Sequence, residues 1–123
     1  MGRAHRLLLM LLLALGLGGG CATVPPLQTI PDVATIAGEW SGVIQYGRGS
    51  YEPFYLTVNP DGSLIAWWGL YTRYGRVDLS QERPRFTLYT WNGDLEYLAG
   101  GGRRVLILRS DFGDLYTYLT PYS

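Results

Sequence analysis

The chain has 123 residues, enough for one domain around one modest hydrophobic core. It carries ten arginines, no lysine, ten acids and one histidine, for a formal net charge of zero. Without its first twenty residues, eight arginines face ten acids, a net charge near −2. That balance excludes a dedicated nucleic-acid binder, which shows a clear basic excess. Beyond residue 20 there is no histidine, and the only cysteine is Cys21. A His- or Cys-based metal site, a Ser-His-Asp triad, a cysteine nucleophile and a Schiff-base lysine all lack their residues. Neither a cofactor nor a metal is expected.

The chain opens on a short basic stretch, Met1 to Arg6, followed by the apolar run Leu7 to Leu17. As a helix those eleven residues span roughly 16 Å, about half a bilayer core. This is the size of a signal-peptide apolar region and falls short of a membrane span.

Gly18, Gly19, Gly20 and Cys21 come next. The stretch resembles the lipobox of bacterial lipoproteins, in which the chain is cut immediately before a cysteine that receives lipid. Gly19 and Gly20 suit the two positions before the cut. Gly18 stands where leucine is usual, with Leu17 one place further back. The resemblance implies a signal peptide over 1–20 and lipidation of Cys21. It also implies a membrane partner through the lipid. Ala22, where an aspartate commonly retains such proteins at the inner membrane, implies an outer-membrane location facing the periplasm. The alternative is an ordinary secretory peptide cut after Ala22.

Residues 21–37 include Pro25, Pro26 and Pro31 and few strand signals, and read as a tether. Extended, the fifteen residues 22–36 reach about 50 Å. Pro31 to Ala34 is suited to one turn of α- or 3₁₀-helix just before the domain.

From Gly38 to Ser123 the pattern changes to short runs of aromatic and β-branched residues separated by turn chemistry, and all seventeen aromatic residues fall here. Eight strands are expected, at about 39–46, 53–58, 63–69, 73–79, 84–91, 94–99, 103–109 and 115–120. Asn59-Pro60-Asp61-Gly62 and Asp111-Phe112-Gly113-Asp114 read as reversals, and Asn92-Gly93 as a two-residue type I′ hairpin loop. Gly100-Gly101-Gly102 reads as a looser link. Phe54, Leu56 and Val58 share one face of their strand; Tyr55 and Thr57 share the other. Val105 to Leu108 is apolar at every position, as in a strand covered on both sides. Consecutive strands with short links favour antiparallel neighbours, and closing the meander removes its edges. The expected fold is all-β, a small antiparallel eight-stranded up-and-down barrel.

The first strand contains Gly38-Glu39-Trp40, which resembles the Gly-x-Trp signature of lipocalins. That resemblance implies a lipocalin-like barrel in which Trp40 plugs the closed end and stacks on an arginine from a late strand. Arg109 is the first choice for that arginine and Arg104 the second.

Two carboxylates at suitable separation can hydrolyse a glycosidic bond, and Glu52 with Glu96 is the least implausible pair. Asp61, Asp94, Asp111 and Asp114 lie in or beside turns, where aspartate is structurally favoured, and no catalytic residue is assigned. Arg73, Arg76, Arg83 and Arg85 cluster in sequence, with Asp78 and Glu82 among them to offset the charge. Tyrosines opposite aliphatic residues either tile a half-buried sheet or form an outer aromatic stripe for a partner. The contact residues expected on that basis are Tyr55, Trp67, Trp68, Tyr89, Trp91 and Tyr116. The expected function is a non-enzymatic envelope binding module for a small apolar ligand, a glycan or an envelope protein. The alternatives are a carboxylate-based cell-wall glycan hydrolase and a structural accessory subunit.

Overall fold

The structure, a computed structural model, describes residues 24–122. The predicted signal peptide and Cys21 lie outside the described residues. A two-residue strand β1 (Leu27–Gln28) and a 3₁₀ turn η1 (Val33–Thr35) precede eight longer strands. These are β2 (Gly38–Tyr46), β3 (Glu52–Val58), β4 (Ser63–Trp68), β5 (Tyr71–Asp78), β6 (Arg85–Leu88), β7 (Trp91–Gly100), β8 (Arg103–Ser110) and β9 (Leu115–Pro121). Each pairs antiparallel with the next, and β9 returns to pair with β2, from Trp40↔Pro121 to Tyr46↔Leu115. The eight strands form a closed antiparallel up-and-down barrel, as the pattern of short strands and tight links predicts.

Alternation sorts the side chains. Phe54, Leu56 and Val58 of β3 point inward and are buried, while Tyr55 is exposed. Leu64, Ala66 and Trp68 do the same on β4, and Leu106 and Leu108 on β8. The interior is therefore filled by side chains. Val105 and Ile107, on the outer side of β8, are also buried, as its continuous apolar run predicts.

Three inward glycines let strands of so small a barrel coil tightly. A Cβ on Gly42, Gly75 or Gly93 would come within 1.9 Å of a carbonyl oxygen on the adjacent strand, that of Tyr118, Thr87 or Arg109 respectively. Gly93 thereby corrects the expected Asn92-Gly93 turn. The reversal lies three residues earlier, at Tyr89-Thr90, between the paired Leu88 and Trp91. Tyr89 takes the left-handed backbone there, φ +54°, and Gly93 sits inside β7 because only a glycine fits against β8. The Gly101-Gly102 link is tighter than expected. Both residues have positive φ between the paired Gly100 and Arg103, which is a two-residue type I′ loop.

Residues 25–37, expected as a tether, lie against the barrel. Pro25 is buried, β1 pairs with the lower half of β7 through Leu27↔Leu98 and Gln28↔Tyr97, and Ile30 and Ile36 enter the core. β6 has only four residues and pairs β7 over 91–94, so β1 continues the wall where β6 stops. The helical turn expected near Pro31 is η1, capped by Asp32, whose carboxylate accepts from the Thr35 N–H at 3.1 Å.

Candidate functional site

The two barrel ends differ. The lower end carries η1, the Asn59–Gly62 turn and the Gly101-Gly102 loop, and it is sealed. Trp40 is 2% exposed and donates its indole N–H to the Ile36 carbonyl at 2.8 Å. The Tyr97 ring meets it edge-on at 6.5 Å, and Arg104 lies over its ring with the guanidinium carbon 5.0 Å from the centroid. Trp40 is thus buried at the closed end, but the arginine beside it is Arg104, which corrects the expectation of Arg109. Strand parity is the reason. Arg104 shares the inward side of β8 with Leu106 and Leu108, whereas Arg109 falls on the outer side near the opposite end. There Arg109 stacks over Tyr116 at 5.5 Å and pairs with Glu96 at 3.6 Å.

The upper end carries an aromatic cluster centred on Trp68. Its ring lies 6.0 Å from Tyr46, 5.6 Å from Phe54, 5.6 Å from Tyr71 and 5.9 Å from Trp91. Tyr89 extends the cluster by packing against Trp91, and the Arg73 guanidinium lies 4.4 Å from the Tyr89 centroid and 5.0 Å from that of Tyr71. Glu52, first residue of β3, has inward parity at this end. Among the described residues, three buried side-chain atoms have no hydrogen-bond partner: Glu52 Oε2, Trp68 Nε1 and Arg73 Nε. All three belong to this end of the barrel. The Tyr46 hydroxyl feels two of these groups. Trp68 is the largest influence and lowers its pKa, while burial, the Glu52 carboxylate and Tyr71 raise it, and the net direction is upward.

The cluster reaches the outer surface between β3 and β4. Their ladder ends at Tyr55↔Trp67, and above that pair a cleft of about 390 Å³ opens between Glu52, Pro53, Tyr55, Trp67, Trp68 and Gly69. Below the same pair lies a smaller hollow of about 140 Å³ that includes Glu39, Thr57 and Tyr122. Tyr55 and Trp67 are 46% and 40% exposed and border both, so the two form one trough down the outside of β3 and β4. Tyr122 packs edge-on against Tyr55 at 5.9 Å.

The six expected contact residues therefore occupy three places. Tyr55 and Trp67 form the floor of the trough. Trp68, Trp91 and Tyr89 belong to the end cluster, with Trp68 buried. Tyr116 lies on β9, separated from the trough's β3 by β2, half-buried beneath Arg109. Tyr46, Tyr71, Arg73, Glu39 and Tyr122 complete the site and were missed by sequence reasoning. Tyr71 and Arg73 share the inward parity of β5, a readable signal; Tyr122 lies beyond the last periodic strand and carries none.

Glu52 and Glu96 do not meet. β3 and β7 face each other across the barrel, and Glu96 points outward to Arg109. The arginines grouped in sequence disperse as well. Arg73 joins the aromatic cluster, Arg76 donates to the Asp61 carbonyl, Arg83 pairs with Asp94, and Arg85 bridges Asp94 and Asp111. Among the described residues no group of three or more His, Cys, Asp or Glu stands together as a metal-ligand set. Comparison with family profiles, curated proteins and solved structures finds no match to this chain.

Proposed function

We propose that the protein is a non-enzymatic, lipid-anchored envelope protein, held at the outer membrane through Cys21, whose barrel is a binding module. The observation that carries this reading is the trough over Tyr55 and Trp67. Two large aromatic side chains stand exposed side by side while the residues before and after each on its strand are buried or part-buried, and a concave surface lies on both sides of them. Aromatic residues of this kind supply contact area with a polar handle and anchor many recognition surfaces. The filled interior supports a ligand on the barrel's outside and upper rim in preference to one deep within it. The lipid anchor rests on the resemblance of Gly18 to Cys21 to a lipobox.

Two measurements on the full chain in its own envelope test the reading. Metabolic labelling with an alkyne fatty acid is expected to mark the protein and to be abolished by Cys21→Ser. A photoreactive diazirine residue at position 67 is expected to give a discrete cross-linked product, whereas the same residue at position 87, on the outer face of β6, gives none. Equal or absent cross-linking at the two positions rules the trough out as the contact surface.

A further inference from the structure

We infer that the free edge of β1 binds an extended peptide segment of another protein by strand addition. This surface is separate from the trough over Tyr55 and Trp67, and the inference goes beyond the reading of that trough.

Closure of the barrel gives each of its eight strands a neighbour on both sides, whereas β1 pairs with β7 alone. The Ala99 N–H donates to the Pro26 carbonyl at 3.0 Å, so Pro26 with Ala99 and Gln28 with Tyr97 hold the hydrogen-bonding positions of this ladder. Leu27↔Leu98 falls between them, and the Leu27 N–H and C=O therefore point away from β7. Thr29 repeats that parity. Among the described residues, neither Leu27 nor Thr29 has a backbone hydrogen-bond partner, and both are exposed. Two N–H donors with their carbonyls thus stand in line about 7 Å apart, the two-residue repeat of a β-strand. An extended main chain is the ligand that matches this repeat.

The space beside the edge is a cleft of about 380 Å³. It lies between Leu27, Thr29 and Ile30 on one side and Leu79, Glu82 and Pro84 of the 79–84 connection on the other. Leu27, 65% exposed, offers apolar contact to the side chains of an added strand, as do Leu79 and Pro84. Glu82 makes no ion pair among the described residues, whereas Arg83 and Arg85 are engaged by Asp94 and Asp111. A segment with a basic side chain among apolar ones is therefore the preferred complement. Pro25 and Pro31 hold the next positions of the same parity on either side, and neither has an N–H to donate. They confine pairing to a short segment and keep the edge from seeding a longer sheet. A second copy of this chain is less well served, because its own 79–84 connection stands across the cleft from its own β1 edge.

The test is a titration of the isotope-labelled, detergent-solubilised full chain with the peptide acetyl-Thr-Val-Lys-Val-Thr-Val-amide, followed by amide resonances and hydrogen exchange. Saturable binding is expected, with the largest shifts at Leu27 and Thr29 and at least tenfold slower exchange of those two amides. The same peptide N-methylated throughout keeps its charge and side chains, and is expected to bind at least tenfold more weakly. Thr29→Pro removes one edge donor and should weaken binding at least tenfold. Glu82→Gln should weaken it severalfold, and Tyr116→Ala should leave it unchanged. An unchanged melting temperature shows that the Thr29→Pro chain is folded, and the N-methylated peptide tests the pairing without any substitution. Equal binding of the two peptides overturns strand addition, and absence of saturable binding overturns the proposal. Shifts centred on Tyr55 and Trp67 place the peptide in the trough and overturn the edge as its site. A dimer in sedimentation that Thr29→Pro dissociates makes a second copy the occupant and overturns the peptide. Cross-linking at position 67 tests the trough separately, so either surface can fail without the other.

Discussion

Arg104 lies over the Trp40 ring, its guanidinium carbon 5.0 Å from the centroid, and this stack together with two hydrogen bonds ties three separate segments to β8. Nε donates to the Tyr97 hydroxyl at 3.0 Å and Nη2 to the Thr35 carbonyl at 2.8 Å. One side chain on β8 thus joins β2, β7 and the 3₁₀ turn that seals the lower end.

Arg104→Ala is expected to destabilise the barrel by about 2–4 kcal/mol, from two hydrogen bonds with a charged donor and a stacked cation. Its melting temperature should fall by on the order of 10 °C. Arg109→Ala, which removes a half-exposed pair with Glu96, should change stability by no more than about 0.5 kcal/mol. Thermal unfolding followed by near-ultraviolet circular dichroism measures both, and equal effects would remove the latch assignment.

Gly93 makes a second prediction because its neighbours are backbone. A Cβ there would stand 1.9 Å from the Arg109 oxygen and 2.7 Å from the Ser110 Cα, and neither can move without shifting β8. Gly93→Ala should therefore cost at least about 3 kcal/mol or prevent folding. Gly101→Asn keeps a tolerated left-handed residue, φ +61°, in open space and should cost less than about 1 kcal/mol. Urea unfolding of the two variants tests the contrast; a turn role for Gly93 would bring the two costs together.

Much of the barrel was legible because its strands alternate strictly and its reversals carry local chemistry. Phe54, Leu56 and Val58 against Tyr55 and Thr57 announce one buried and one open face, and Asn59 to Gly62 announces the turn after them. The errors arose where one residue type serves two purposes. Glycine marks turns and close strand approaches alike, and only the approach of β8 to β7 distinguishes Gly93 from a hairpin glycine. The prolines before the domain suggested a free tether, yet Ile30 and Ile36 are core residues that no local period reveals. Arg104 could have been preferred to Arg109 from parity alone, since it alternates with Leu106 and Leu108. The site itself was half visible. Trp67 and Tyr55 stand out as aromatics on outward positions, while the gathering of Glu52, Trp68 and Arg73 at one rim depends on closure of the barrel.

Acid should weaken the fold through carboxylates held as anions. The Asp78 carboxylate accepts from the Ser80 hydroxyl at 2.6 Å, the Gln81 amide at 2.8 Å and the Ser80 N–H at 2.9 Å, which lowers its pKa to about 2. Asp111 is lowered by Arg85, and Asp61 by Ser63. A carboxylate whose folded pKa lies below its unfolded value of about 3.9 adds stability that is present above that value. The contribution is lost as pH falls through the folded pKa. The urea midpoint should accordingly hold steady down to about pH 5 and decline between about pH 4 and pH 2. Asp78→Asn should show a shallower decline, and an unchanged slope in that variant would exclude Asp78 as a contributor.

Thr117 supports a final prediction that separates polar from packing roles. It is fully buried on β9, and its hydroxyl accepts from the Leu108 backbone N–H at 2.9 Å, where the β8–β9 ladder retains only the pairs Leu106↔Leu119 and Arg109↔Tyr116. The side chain replaces a missing backbone acceptor at that point. Thr117→Val preserves shape but leaves the Leu108 N–H buried and unsatisfied, at about 1–3 kcal/mol. Thr117→Ser keeps the acceptor and loses one methyl, at about 1 kcal/mol. Valine should thus be the more damaging substitution, the reverse of what packing alone dictates. Hydrogen exchange of the Leu108 amide should accelerate in Thr117→Val beyond its acceleration in Thr117→Ser. If serine proves the worse replacement, Thr117 acts through its methyl group and the ladder gap is bridged by some other acceptor.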